Sequence, residues 1–128
     1  MEQSIKPTNS PAILVQQGEI IIPVNFDNIA MISLKEGIVK LYIFDNKILI
    51  ASESLEELER LLNSKFFRAN RQCIVLQKAI KNVARYFNRR LVLHLHVSFD
   101  EQIVISKEKA SAFLEWLITS YLWLMNAL

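Results

Sequence analysis

The chain is predicted to be mostly β, with one short helix near residues 54–62 and a second helix at the C-terminus. Three features lead to that class. Residues 12–51 break into short runs rich in Ile, Val and Leu, separated by Gly, Asn and Asp turn formers, which is the spacing of paired strands. Residues 91–97 alternate, with Leu91, Leu93, Leu95 and Val97 on one side and Val92, His94 and His96 on the other. The apolar period lengthens to that of a helix only after Ser54 and again after Ser106.

With 52% hydrophobic and 22% charged residues, the 128-residue chain has the make-up of one folded domain, not of a disordered segment. A single cysteine, Cys73, excludes an internal disulfide and fits a reducing compartment. Its place in the run Cys73-Ile74-Val75-Leu76 makes it a small buried side chain rather than a nucleophile. The N-terminal MEQSIKPTNSP has no apolar core to serve as a secretory signal, and no run reaches the ~18 apolar residues of a bilayer span. The expectations are a cytoplasmic location and no membrane insertion by this segment.

Taken in order, residues 1–11 read as a flexible lead-in or linker, with Pro7 and Pro11 on either side of Thr-Asn-Ser. Residues 12–16 and 19–23 flank Gln17-Gly18 as a hairpin. Three further strands are expected at 28–34, 38–44 and 47–51, turned by Lys35-Glu36-Gly37 and by Asp45-Asn46. Ser54 then opens a helix as N-cap, with Glu57 three residues on to close a capping box, and Leu55, Leu58, Leu61 and Leu62 should bury one face. Residues 66–67 and 73–76 look like core strand pieces around a bend holding Arg68, Asn70 and Arg71. Residues 79–86 and 91–97 pair across a turn at 87–90, and Asp100-Glu101 turns the chain into a last short strand at 102–105. In the final helix Ala110, Phe113, Leu114, Leu117 and Ile118 form the apolar stripe. Beyond it, the stretch WLITSYLWLMNAL carries no charge from Trp116 to Leu128.

Charge is spread unevenly. Residues 1–59 hold four basic and nine acidic side chains, residues 60–99 nine basic and none acidic, and residues 100–128 two basic and four acidic. Arg60, Lys65, Arg68, Arg71, Lys78, Lys81, Arg85, Arg89 and Arg90 therefore meet acid from elsewhere in the fold or from a polyanionic partner. Arg89 and Arg90 fall at a hairpin tip, where long side chains leave the body of the domain. An arginine there can fork onto guanine O6 and N7.

No catalytic signature stands beside this basic stretch. The chain lacks G-x-S-x-G, a P-loop, a dinucleotide fingerprint and H-E-x-x-H. His94 and His96 point the same way but have no company of metal-ligand type, and half-exposed strand histidines are the simpler account. No enzyme, metal or cofactor is expected.

At FFRANRQCIVLQKAIKNV the chain resembles the LytTR DNA-binding domain, an output module of bacterial response regulators. That family reads F-x-R-x-H-R-S-x-[IV]-[IV]-N-x-x-x-I-x-x-[IV]. Phe66, Arg68, Arg71, Ile80 and Val83 hold the matching places, while Asn70, Gln72 and Leu76-Gln77 stand where the family has His, Ser and Asn. SESLEELERLL and IVISKEKASAFLEWL are similar to the segments that flank the motif in the family, so the likeness spans roughly residues 12–118. The resemblance implies an elongated antiparallel β fold whose loops, not a recognition helix, enter successive major grooves. It places DNA at the loop 35–38, at the segment around 52–54, and at the hairpin turn 88–90.

The candidate DNA-binding residues are Lys35, Lys40, Ser54, Arg68, Arg71, Lys78, Lys81, Arg85, Asn88, Arg89 and Arg90. Each has a plainer reading. Arg85, Arg89 and Arg90 can be a solvated tip, Arg68 and Arg71 can serve the fold or a phosphate equally, the lysines can be bare surface, and Asn88 can be a turn former. The expected function is sequence-specific binding of double-stranded DNA in bacterial transcription regulation, within a two-component system. A receiver or sensor domain outside this chain, and a homodimer paired through the apolar run ending at Leu128, are expected partners. The competing expectation is an interaction or sensory module on a LytTR-like fold, dimerising through the C-terminal helix with little DNA contact. Three parts follow: a lead-in at 1–11, the domain at 12–118, and an apolar helical extension at 119–128.

Overall fold

The computed structural model describes the backbone of residues 11–126 and the side chains of residues 11–120. The lead-in expected at 1–11 and the last two residues of the expected extension lie outside the described residues, Pro11 excepted. Among the described residues, ten strands and two α-helices follow one another. They are β1 (Ala12–Gln17), β2 (Ile20–Asn25), β3 (Ile29–Lys35), β4 (Ile38–Ile43), β5 (Lys47–Ala51), α1 (Leu55–Leu61), β6 (Phe66–Asn70), β7 (Cys73–Leu76), β8 (Ile80–Tyr86), β9 (Arg90–Leu95), β10 (Ile103–Ile105) and α2 (Lys107–Asn126). They form three antiparallel sheets, β1-β2, β5-β4-β3-β7-β6 and β10-β9-β8.

The five-stranded sheet is central, and the alternation along its strands sorts the apolar side chains into two cores. Ile32, Val39, Leu41, Ile43, Leu49, Ile74, Leu76 and Phe66 face one way, against the β1–β2 hairpin and α1. Met31, Cys73, Val75, Phe67 and Ala69 face the other, against β8–β10 and α2, with Phe113 fully buried at its centre. Double-sided burial explains the unbroken apolar runs at 29–32 and 73–76, which belong to the inner strands β3 and β7. Each such buried Ile, Leu or Met is worth about 1.5–3 kcal/mol over its exposed state.

Turn chemistry follows the residues. Glu36 and Gly37 both have positive φ, 54° and 78°, the conformation that matches the twist of a two-residue hairpin. Asn46 turns β4 into β5 at φ 64°. At α1 the capping box closes: the Glu57 backbone N–H donates to Ser54 Oγ (3.1 Å), and the Ser54 backbone N–H donates to Glu57 Oε1 (2.8 Å).

Four expectations change. Leu61 is 57% exposed and Ile118 62% exposed, so neither lies in the apolar face assigned to its helix. Leu61 is the last residue of α1 and lies outside the first core, which Leu62 touches instead, and at Ile118 the side chain falls away from the second core that Leu117 still touches. Arg68 and Asn70 are not in the bend but on strand β6, and the turn is Arg71-Gln72. Strand β9 stops at Leu95, and Val92 is buried like its neighbours Leu91 and Leu93.

Candidate nucleic-acid interface

The β8–β9 hairpin tip is a compact cationic unit. Tyr86 pairs with Arg90 across the strands, and Phe87, Asn88 and Arg89 make the tight turn between them. Asn88 (φ 59°) and Arg89 (φ 60°) are both left-handed, and the Arg90 backbone N–H closes the turn onto Phe87 O. Asparagine tolerates that conformation well, whereas for arginine it is a strain retained in the turn. Arg85 and Arg89 are exposed, and among the described residues no carboxylate pairs with either or with Arg90. Arg90 is held: its Cζ lies 4.4 Å from the Phe87 ring centre and 5.1 Å from that of Tyr86, and its Nε donates to Phe87 O at 3.4 Å. The two rings are themselves 4.5 Å apart.

A second feature is the end of the central sheet where three turns gather. Leu34 N–H donates to Gln72 O (2.8 Å), which brings the β6–β7 turn beside the end of β3. Val39 opposite Ala51 sets the segment around Ser54 beside the Glu36-Gly37 turn. The Asn70 amide donates to Val104 O (3.1 Å), tying this end to the sheet that carries the hairpin. Arg68 braces the same corner. It donates from Nε to Asn70 O (2.8 Å), from Nη2 to Arg71 O (2.8 Å) and from Nη1 to Glu59 Oε1 (2.8 Å), with Glu56 Oε2 at 3.5 Å. Acid from α1 thus neutralises one of the nine cations within the fold. Arg71, by contrast, is exposed.

Comparison with known proteins settles the family. A family model described as the LytTr DNA-binding domain matches residues 19–118. The chain belongs to the LytTR family. Its fold is similar to the "LytTr DNA-binding domain of putative methyl-accepting/DNA response regulator from Bacillus cereus", at 23% identity and a TM-score of 0.71 over 85% of this chain and 98% of that one. No curated protein matches the chain.

The other candidates of this LytTR domain are scattered more widely. Lys35, at the end of β3, is ion-paired with Glu101 at 2.5 Å, and the hydrogen bond and charge of Glu101 raise its pKa. Lys40 and Lys81 line an open cleft of about 1110 Å³ between the central sheet and β8–β10, together with Tyr42 and His94. His94 sits 2.6 Å from Asn82 Oδ1 through its Nδ1. Ser54 spends its hydroxyl on the helix cap. Lys78 follows β7 at the end of the sheet opposite the gathered turns, with Nζ 5.4 Å from the Phe44 ring centre. Sequence reasoning passed over Tyr86 and Phe87. The signal available was an aromatic pair set directly before Asn-Arg-Arg in a predicted tip. Among the described residues no helix is long and apolar enough to cross a membrane, and no group of metal-ligand side chains assembles.

Proposed function

We propose that this LytTR domain binds double-stranded DNA sequence-specifically, with its loops in the major groove, and regulates bacterial transcription. The observation that carries the proposal is the β8–β9 tip, where exposed Arg85 and Arg89 and the aromatic-held Arg90 have no carboxylate partner among the described residues. Arg90 reads a base edge, Arg85 and Arg89 neutralise phosphates on either side, and Asn88 shapes the turn. Arg71, Lys40 and Lys81 position the duplex through phosphates along the gathered turns and the cleft rim, while Lys35 is taken by its ion pair with Glu101. Arg68 and Ser54 serve by bracing the corner and capping α1. Lys78, placed at the far end of the sheet, contributes long-range charge. A receiver or sensor domain outside this chain supplies the stimulus, as in a two-component response regulator.

Fluorescence anisotropy against random and selected duplexes over a salt series tests this. Wild type should enrich one sequence and lose affinity steeply with salt, and Arg89→Ala/Arg90→Ala should flatten the slope by about 0.9 per phosphate contact removed. Absence of binding at low salt overturns the proposal. A homodimer through α2 beyond Trp116 accompanies it, supported by the charge-free run there and the exposed Ile118.

A further inference from the structure

Phe87 is 60% exposed, an aromatic ring held in water at the very point of the basic hairpin. Its contact with Tyr86 covers one part of the ring, and Arg90 lies over it. A residue serving only to close the turn needs neither the ring nor the exposure, since the turn is closed by the Phe87 carbonyl.

The bonding of Arg90 limits what it offers a ligand. Its Nε points at Phe87 O, so the two Nη groups are the edge left to donate outward. That edge matches two acceptors side by side, as guanine presents in the major groove with O6 and N7. A guanidinium reading a base in this way lies near the plane of the base pair. The Phe87 ring centre is 4.4 Å from Cζ and the base rise is about 3.4 Å, so a ring stacked on that guanidinium reaches the level of the neighbouring pair. At that level the major-groove edge of the neighbouring pair is apolar only where thymine carries its C5 methyl.

We propose that Phe87 is a specificity-determining residue, which packs on the methyl of a thymine in the base pair next to the guanine taken by Arg90, so that the hairpin selects a guanine with a neighbouring T·A pair. The proposal rests on the DNA-binding function proposed above. Tyr86 and Phe87 also hold the guanidinium in place before binding, so less side-chain freedom is lost on contact.

The test uses the full chain and a duplex enriched by wild type, in which each thymine of the motif is exchanged in turn for deoxyuridine, removing only the methyl. At one position next to the guanine, wild type should weaken about four-fold, the worth of one buried methyl. Phe87→Ala should bind the thymine and uracil duplexes equally, with its salt slope unchanged because the contact releases no counterion. Phe87→Leu, which keeps an apolar contact, should retain part of the discrimination. Arg90→Ala should relax selection for the guanine. Wild type indifferent to every methyl, or Phe87→Ala discriminating as well as wild type, overturns the proposal while leaving DNA binding intact. A uniform loss in Phe87→Ala with the methyl preference preserved assigns the ring a structural role and equally overturns it. Wild type binding no duplex at low salt removes both this proposal and the function beneath it.

Discussion

Arg68 does at the scale of one residue what no helix or strand does alone. It stitches α1 to the β6–β7 turn through two backbone carbonyls and the Glu59 carboxylate, with only 16% of its side chain exposed. Arg68→Ala leaves both carbonyls short of a partner and should cost about 2 kcal/mol in urea unfolding. Arg68→Lys should recover less than half, because an ammonium lacks the fork that reaches three acceptors. Cys73 shows the same scale from the core. Burial pushes its thiol up to about 12 from 9.0, so it stays protonated in the folded domain at neutral pH. Native protein should therefore resist thiol-specific labelling at pH 8 and react fully in denaturant. The linkage sign follows from the raised pKa: the contribution is complete below about pH 9 and is lost as pH rises from there toward 12. Relative to Cys73→Ala, wild-type stability should fall over that window.

Among the elements, the β8–β9 hairpin and α1 are organised by opposite priorities. α1 has seven residues and depends on its cap, so Ser54→Ala should lower stability by about 1 kcal/mol in thermal melts, and Ser54→Asp should restore most of it. The hairpin keeps an arginine at φ 60°, where glycine would rest without strain. Arg89→Gly should stabilise the domain by about 0.5–1 kcal/mol while weakening DNA binding at low salt. Were Arg89 mere surface, the gain in stability would come with affinity unchanged. These elements were largely legible in sequence: the capping box at Ser54 and Glu57, the Glu36-Gly37 and Asn46 turns, and the two-residue period at 91–95 are local signals. Leu61 and Ile118 were not, since apolar residues at helical spacing mark a face but not how far the neighbouring core extends.

On the scale of the whole molecule, the central sheet divides the apolar side chains between two cores and leaves the basic tip and the gathered turns at the surface. Phe113, buried among Phe67 and Trp116 with ring centres 5.3 and 5.6 Å away, anchors α2 to the sheet, and Phe113→Ala should cost about 3–5 kcal/mol. α2 itself continues to Asn126 without a break at 118. Truncation after Ile118 should leave stability and single-site DNA affinity near wild type, since the family match ends there, and should abolish the dimer in sedimentation. Retention of the dimer would place its interface elsewhere.

Taken alone, the sequence determined the fold class, the order of strands and helices, the charge-rich middle third and the likeness to LytTR domains. All of these are written in local periodicity, capping residues, turn formers and ordered motifs. Only the tertiary structure decided which cations are spent within the fold. Arg68 and Lys35 find carboxylates 9 and 66 residues away, a separation no local pattern encodes. It likewise brought Arg90 onto the rings of Tyr86 and Phe87, because the exact pairing of β8 with β9 and two left-handed residues set the direction of those side chains. Charge composition names a partner class; chain folding selects the side chains left free to meet it.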